Sequence, residues 1–409
     1  MSPTSRIDHG KKGNSRRKQA NGALDDSMRW QRIRRGHAEG RRVLITGGAG
    51  FIGSNLADRL LCAGIPVLVF DNVSRRGVEK NVEWLSSKHG NLLRVEEQDV
   101  RNFGAVHLAA HEAIAVFHFA AQVAVTDSLV DPRRDFEINA LGTLNVLEAI
   151  RGLRTAPPLV FTSTNKVYGA LSDLKLEEND SEYRPAESGR FRNGIAEDRS
   201  LDFESPYGCS KGAADQYVLD YARTFGLPAA VFRMSCIYGP HQFGTEDQGW
   251  VAHFLMRAAE KMPITIYGDG KQVRDLLYID DLVNAFLLAV DNMDRICGQA
   301  FNIGGGVSNA LSLLQVIELI GELQGEPVAI RLDEWRQADQ KYYVSDTTKF
   351  CKATGWRPET TARDGIAMLY RWLEESGVTQ LGTALSRHGA ISAIRAVVEP
   401  LSRPVITST

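Results

Sequence analysis

The sequence predicts an α/β fold: a doubly wound parallel sheet with a smaller, interleaved C-terminal lobe. Three observations predict it. From Arg41 onward, short apolar runs alternate with longer helical stretches. The runs are continuous rather than alternating, as in strands buried on both faces. The first strand passes into the first helix through a glycine-rich turn, "TGGAGFIG".

The elements follow in order. "RRVLITG" reads as a buried strand, and "FIGSNLADRLLCAG" as an amphipathic helix closed by Gly64. "PVLVFDN", "LLRVEEQDV", "IAVFHFAA", "PPLVFTST" and "LPAAVFRMS" read as further strands. Helical segments are clearest over Phe136 to Arg151 and Pro206 to Gly226. Strand-helix alternation of this kind argues for a parallel sheet covered on both faces. After Tyr238 the rhythm loosens, and "GPHQFGTEDQGW" and "YGDGKQVRD" read as loops. The expected organisation is a basic, disordered tail over 1–40 and a nucleotide-binding domain over 41–235 with 276–306. A substrate lobe follows over 236–275 and 307–380, with an extension over 381–409 that has no clear place in the pattern.

Composition narrows the classes. The 409 residues are 43% hydrophobic and 24% charged, which is ordinary globular usage. A net charge of −2 gives no sign of a nucleic-acid or anionic-membrane partner. Five scattered cysteines (62, 209, 236, 297 and 351), with no C-x-x-C, suggest a reduced cytoplasmic compartment and no metal site. No apolar run reaches the roughly 18 residues of a membrane span. The first 42 residues carry twelve Lys or Arg against four Asp or Glu, with no apolar segment that would make a secretion signal. That stretch is read as a solvated tail, with an arm for an acidic partner as the sharper alternative.

Gly47, Gly50 and Gly53 have the G-x-x-G-x-x-G spacing. Between a strand and a helix, such glycines let backbone approach a pyrophosphate at a helix N-terminus. This is the Rossmann context. Asp71 ends the next strand, where a carboxylate accepts from ribose hydroxyls and repels a 2′-phosphate. NAD is therefore favoured over NADP, although Arg75 and Arg76 stand close by.

Tyr207 and Lys211 lie four apart on a predicted helix, on one face and one turn apart. A free phenol, with a pKa of about 10, is a poor base at neutral pH. A neighbouring ammonium and the positive nicotinamide ring of a bound cofactor both favour phenolate and make the pair a usable base. Thr164, at the end of the strand "PPLVFTST", completes the set.

From about Arg42 to Glu375 the chain resembles the extended short-chain dehydrogenase/reductase family of NAD-dependent nucleotide-sugar epimerases and dehydratases. The residues that carry the resemblance are "TGGAGFIG", Asp99-Val100, "FAAQ" from Phe119, "NALGTLNVLEA" from Asn139, "YGCSK" from Tyr207, "YGP" from Tyr238 and "VRDLLYIDD" from Val273. Within it, "STNKVYG", "SPYGCSKGAADQYVLDYARTFGL" and "GPHQFGTEDQGW" resemble the subgroup that inverts C2 of CDP-linked sugars.

The resemblance implies that Thr164 hydrogen-bonds the reacting hydroxyl, Tyr207 is the base, and Lys211 tunes it and holds the nicotinamide ribose. It implies an NAD site from Gly47, Gly50, Phe51, Ile52, Gly53, Asp71, Asn72, Asp99, Val100, Phe119, Ala120 and Ala121, with Tyr207 and Lys211. Gln122, Thr164, Asn165, Lys166, Arg274 and Arg336 are the expected substrate residues, the two arginines for the diphosphate. Asn139 is expected to brace the strands, His241 to be a plain loop residue, and the chain to form a homodimer or homotetramer.

Dehydratases of this family place Asp-Glu directly after the strand-end hydroxyl. Here stand Asn165 and Lys166, an amide and an ammonium, which cannot serve as that acid-base pair. Oxidation and hydride return through bound NAD, hence epimerisation, asks least of these residues; a CDP-linked sugar inverted at C2 is what the resemblance alone implies. A UDP-hexose 4-epimerase is the alternative, with a decarboxylase further off. A non-catalytic NAD-binding protein would have no need to keep Thr164, Tyr207 and Lys211 together.

Overall fold

In the computed structural model, described for residue 33 and for residues 40–336 and 339–376, seven parallel strands form the central sheet. They are β1 (Arg42–Thr46), β2 (Val67–Asp71), β3 (Leu93–Glu97), β4 (Ala113–His118), β5 (Leu159–Thr164), β6 (Ala229–Met234) and β7 (Ala300–Ile303). Their order is β7-β6-β5-β4-β1-β2-β3. The chain runs outward from β1 to β3, then returns to β4 on the other side of β1. The C-terminal ends of β1 and β4 thus flank the point where the winding reverses, which is where open α/β sheets bind ligands.

Continuous apolar strands make this sheet because each strand feeds two cores. Val43 and Ile45 of β1, with Ala115 and Phe117 of β4, pack on one face under α1 (Phe51–Cys62). Leu44 and Val116 pack on the other under α3 (Phe103–His111), α4 (Gly142–Arg151) and α5 (Ser205–Phe225). Helix α2 (Val78–His89) and α6 (Ile279–Asp291) extend the first layer.

Helix α5 is tied to the sheet by a buried ion pair. Arg233 of β6 donates twice to Asp215 of α5, both at 2.9 Å, and its third nitrogen donates to Tyr168 Oη at 3.1 Å. Tyr168 in turn donates to Asn302 Oδ1 on β7 at 2.8 Å. Both charges are thus paired and hydrogen-bonded, the condition for tolerating them in a core.

The structure departs from the sequence reading in three places. The expected continuous helix over Phe136 to Arg151 contains a π turn, Glu137–Leu141, after a short helix at Pro132–Phe136. The turn carries Asn139, which accepts from Gln122 N and donates to Ser210 Oγ, so it braces the loop after β4 against α5. The "YGDGKQVRD" segment is not all loop. Val273–Tyr278 is a fully buried strand, paired with Cys236–Tyr238, Ala310–Ser312 and Tyr342–Tyr343. Its charges concealed it: Arg274 is neutralised by Asp339, and Asp275 accepts from Ser235 and from Gly306 N. Finally, Ile33 lies inside the stretch expected to be a free tail, yet it is buried in the core. The rest of that basic stretch up to residue 39 and the 381–409 extension lie outside the described residues. Among those described, no helix is long and apolar enough to cross a membrane.

Asp215→Ala leaves the Arg233 guanidinium buried without its counter-charge. A stability loss of about 3–5 kcal/mol is expected, read as a lowered urea midpoint.

Candidate active site

A cavity of about 600 Å³ opens at the reversal point and runs from the glycine turn to the second lobe. Gly47, with φ +70°, brings the turn against the end of β4: a Cβ there would stand 2.6 Å from Ala120 N. A Cβ on Gly53 would meet Gly47 O at 2.4 Å, so α1 can start this close to β1 only with glycine. At Gly50 a Cβ would meet only Gly47 O, at 3.1 Å, and the N-terminus of α1 is left open toward the cavity. These are the features a pyrophosphate needs, free N–H groups and room for close approach. Asp71 ends β2 and is held by two backbone donors, Ala49 N at 3.1 Å and Val73 N at 2.9 Å. Burial raises its pKa, against those donors. Asp99 accepts from Asn72 and from the Arg101 fork, which with the other donors holds its carboxyl down at about 2.

At the other end, Thr164 closes β5 and its hydroxyl accepts from Lys166 N at 3.2 Å, capping a 3₁₀ turn over Asn165–Tyr168. Tyr207 lies on the first turn of α5, with its phenol facing the Thr164 side chain. One turn on, Lys211 donates from Nζ to Thr162 O at 2.6 Å and sits 4.3 Å above the Phe161 ring. The i, i+4 spacing thus sets both groups against the last residues of one strand.

Burial dominates the electrostatics of the pair. Burial pushes the Tyr207 phenol up to about 12, although the Thr164 contact acts the other way. Burial also lowers Lys211 to about 7, against the pull of Asp215 and Asp135. Lys211 Nζ donates to a strand carbonyl, and burial works against the phenolate form of Tyr207. Bound NAD, held by the glycine turn and by Lys211, would add a positive charge that favours the phenolate.

Every residue named for the cofactor lines the cavity, as do Thr164, Asn165, Lys166, Arg274 and Arg336. Gln122 does not: the wall passes from Ala121 to Val123, and the Gln122 amide turns back to donate to Ala124 O at 2.8 Å. Arg336 stacks 4.0 Å over the Tyr267 ring and pairs with Asp247 of the "HQFGTEDQGW" loop at 3.4 Å. Arg274 Nη2 donates to Asp339 Oδ1 at 2.8 Å, and Lys166 Nζ lies 3.5 Å from the same oxygen. Asn165 donates to Gln340 Oε1 at 2.9 Å. Asp339, Gln340 and Asp247 were missed by sequence reasoning; only their nearness to Arg336 or to the quoted loop hinted at them.

His241 is not a plain loop residue. Its ring stacks on Trp84 at 3.5 Å and packs against Trp372 at 5.1 Å, and burial lowers its pKa to about 4. Outside the cavity, Asp58, Cys62 and His89 gather three metal-type ligand atoms, but Lys88 already pairs with Asp58 at 2.8 Å.

Residues 43–304 match the model of the NAD dependent epimerase/dehydratase family. The chain belongs to this family. NAD is its cofactor, and the residues at the glycine turn fit it. The chain is 45% identical to CDP-paratose 2-epimerase of Salmonella typhi, over 81% of this chain and 98% of that protein. UDP-glucose 4-epimerase of Thermus thermophilus in complex with NAD superposes with a TM-score of 0.66 at 31% identity, covering 81% of this chain and 99% of that one. UDP-glucose 4-epimerase of Thermotoga maritima with UDP-glucose gives 0.68 at 29% identity, covering 82% and 99%.

Tyr207→Phe removes one hydroxyl facing Thr164 and keeps the ring, so the fold should persist. Turnover should fall about 10²–10⁴-fold, with circular dichroism unchanged.

Proposed function

We propose that this chain is an epimerase inverting C2 of a CDP-linked hexose or dideoxyhexose of the CDP-paratose/CDP-tyvelose type. The observation that carries the choice is the 45% identity across nearly all of the Salmonella typhi CDP-paratose 2-epimerase. Against UDP-glucose 4-epimerase of Mycolicibacterium smegmatis the identity is 31%, so the UDP-hexose 4-epimerase reading fits less well. Asn165 and Lys166 speak against dehydration, because neither is a carboxylate that could pass a proton to a departing hydroxyl.

When bound, NAD supplies the acceptor and donor of hydride. The chain's own residues manage the proton and the pose. Thr164 holds the reacting hydroxyl, and Tyr207 takes its proton and later returns it. Lys211 fixes the ribose side of the cofactor from its perch on Thr162 O. Arg274 and Arg336 hold the diphosphate, so the sugar can turn while tethered. The glycine turn takes the pyrophosphate, and Asp71 and Asp99 take the adenosine half. The lobe built on Val273–Tyr278 is the substrate domain. With no carboxylate acid at position 165 or 166, the ketone is returned to an alcohol rather than losing water.

A second copy of the chain is the proposed partner. Val130, Phe136 and Tyr217 are exposed on three mutually packed helices of the nucleotide-binding half, an apolar face that a dimer would cover. Phe136→Glu is expected to halve the sedimentation mass. An unchanged mass would remove that face from the interface.

The reaction itself is tested in D₂O with CDP-linked sugars. Hydride return predicts C2 inversion by NMR with no solvent deuterium at C2. Deuterium there would mean deprotonation of carbon instead.

A further inference from the structure

Lys166 stands where the catalytic strand meets the second lobe. It lies two residues past Thr164, on the turn that Thr164 caps, and it lines the cavity with Tyr207 and Arg274. One oxygen of Asp339 faces both cations, Arg274 Nη2 at 2.8 Å and Lys166 Nζ at 3.5 Å. An ammonium and a guanidinium that would otherwise repel are thus held side by side about one carboxylate, two cations to one anion in a half-buried wall. Its neighbour fixes the turn. Asn165 donates to Gln340 Oε1 at 2.9 Å, and Gln340 Nε2 donates to Gly169 O at 2.6 Å, so the turn is bolted at both ends to the lobe segment that carries Asp339.

We propose that Lys166 grips the phosphate next to the sugar and so selects the ring carbon that meets Thr164 and Tyr207. This rests on the epimerase reading above. The two hydroxyls are fixed by β5 and α5, and the sugar hangs from its phosphate by the anomeric oxygen. C2 is bonded to the anomeric carbon, whereas C4 lies across the ring. A phosphate held only in the second lobe leaves the far side of the ring to reach the tyrosine. A phosphate drawn to the strand end brings the carbon beside the linkage there instead. Arg274, on its lobe strand, is compatible with either arrangement. Lys166 rides on the catalytic turn itself, and a compact ammonium suits a single phosphate oxygen. A carboxylate at this position would repel that phosphate.

The test compares nucleotides that differ by one phosphate. NAD-loaded wild type, Lys166→Met and Lys166→Arg are titrated calorimetrically with CMP and CDP, and with UMP and UDP. The methionine variant is expected to lose roughly tenfold to a hundredfold in diphosphate affinity, the scale of a charge-assisted bond, with monophosphate affinity kept and arginine restoring most of the loss. Equal losses for mono- and diphosphate would mean a merely structural latch between the lobes and would overturn the proposal. So would no loss at all. NMR of sugar recovered after incubation with CDP-glucose reads the carbon. The methionine variant is expected to yield a larger share of C4-inverted product, and inversion confined to C2 would overturn the selection. If wild type inverts no CDP-linked sugar, the epimerase reading falls, while the paired titrations still report on Lys166.

Discussion

A parallel sheet obliges every connection to cross back over one of its faces, and the rest of this structure depends on where that crossing changes sides. The chain leaves β1 toward β3 and returns at β4, so the loops after β1 and β4 part rather than cover one another. The gap between them is a crevice built from backbone. Glycines line its floor because the turn after β1 must touch the end of β4, and the start of α1 must touch that turn. The next strand across, β5, supplies Thr164, and α5 lies on β5 with its reactive face turned to the same opening. Hydride chemistry is thus sited by topology before any side chain is chosen.

Burial then sets the working charges. The catalytic end of the cavity holds a phenol and an amine that the protein drives toward neutrality, Tyr207 upward and Lys211 downward. The second lobe does the opposite with its arginines, giving each a carboxylate: Asp339 for Arg274 and Asp247 for Arg336. A neutral reaction centre beside a cationic but screened anchor suits a substrate whose reacting carbon is uncharged and whose tether is a diphosphate. Each arginine is held in pose by its carboxylate, so little is spent on ordering it when the phosphate arrives.

What the sequence disclosed and what it hid follow from distance along the chain. The glycine spacing, Asp71 and the Tyr207–Lys211 pair are local patterns, readable because a turn or a helix fixes their geometry within a few residues. The partners of Asn165 and Lys166 lie more than 170 residues away, and nothing near either residue announces Gln340 or Asp339. The strand at Val273 was hidden by Arg274 and Asp275, whose charges are cancelled only by distant groups. Gln122 was misjudged because its neighbours Ala121 and Val123 do face the cavity while its own amide turns away. Spacing places Lys211 beside Tyr207 but does not say that Lys211 Nζ donates to Thr162 O.

The wedging of His241 between Trp84 and Trp372 sets a limit to acid tolerance. Its imidazole titrates near 4 in the fold instead of its usual 6.5. The unfolded chain takes up that proton first, so this residue withdraws stability as pH falls from about 6.5 to about 4. His118, fully buried between the hydroxyls of Thr46 and Thr143 and lowered to about 3, draws in the same direction. One imidazole sits beneath the cavity loop and the other beneath the cofactor crevice. Mild acid therefore draws stability from both surroundings together.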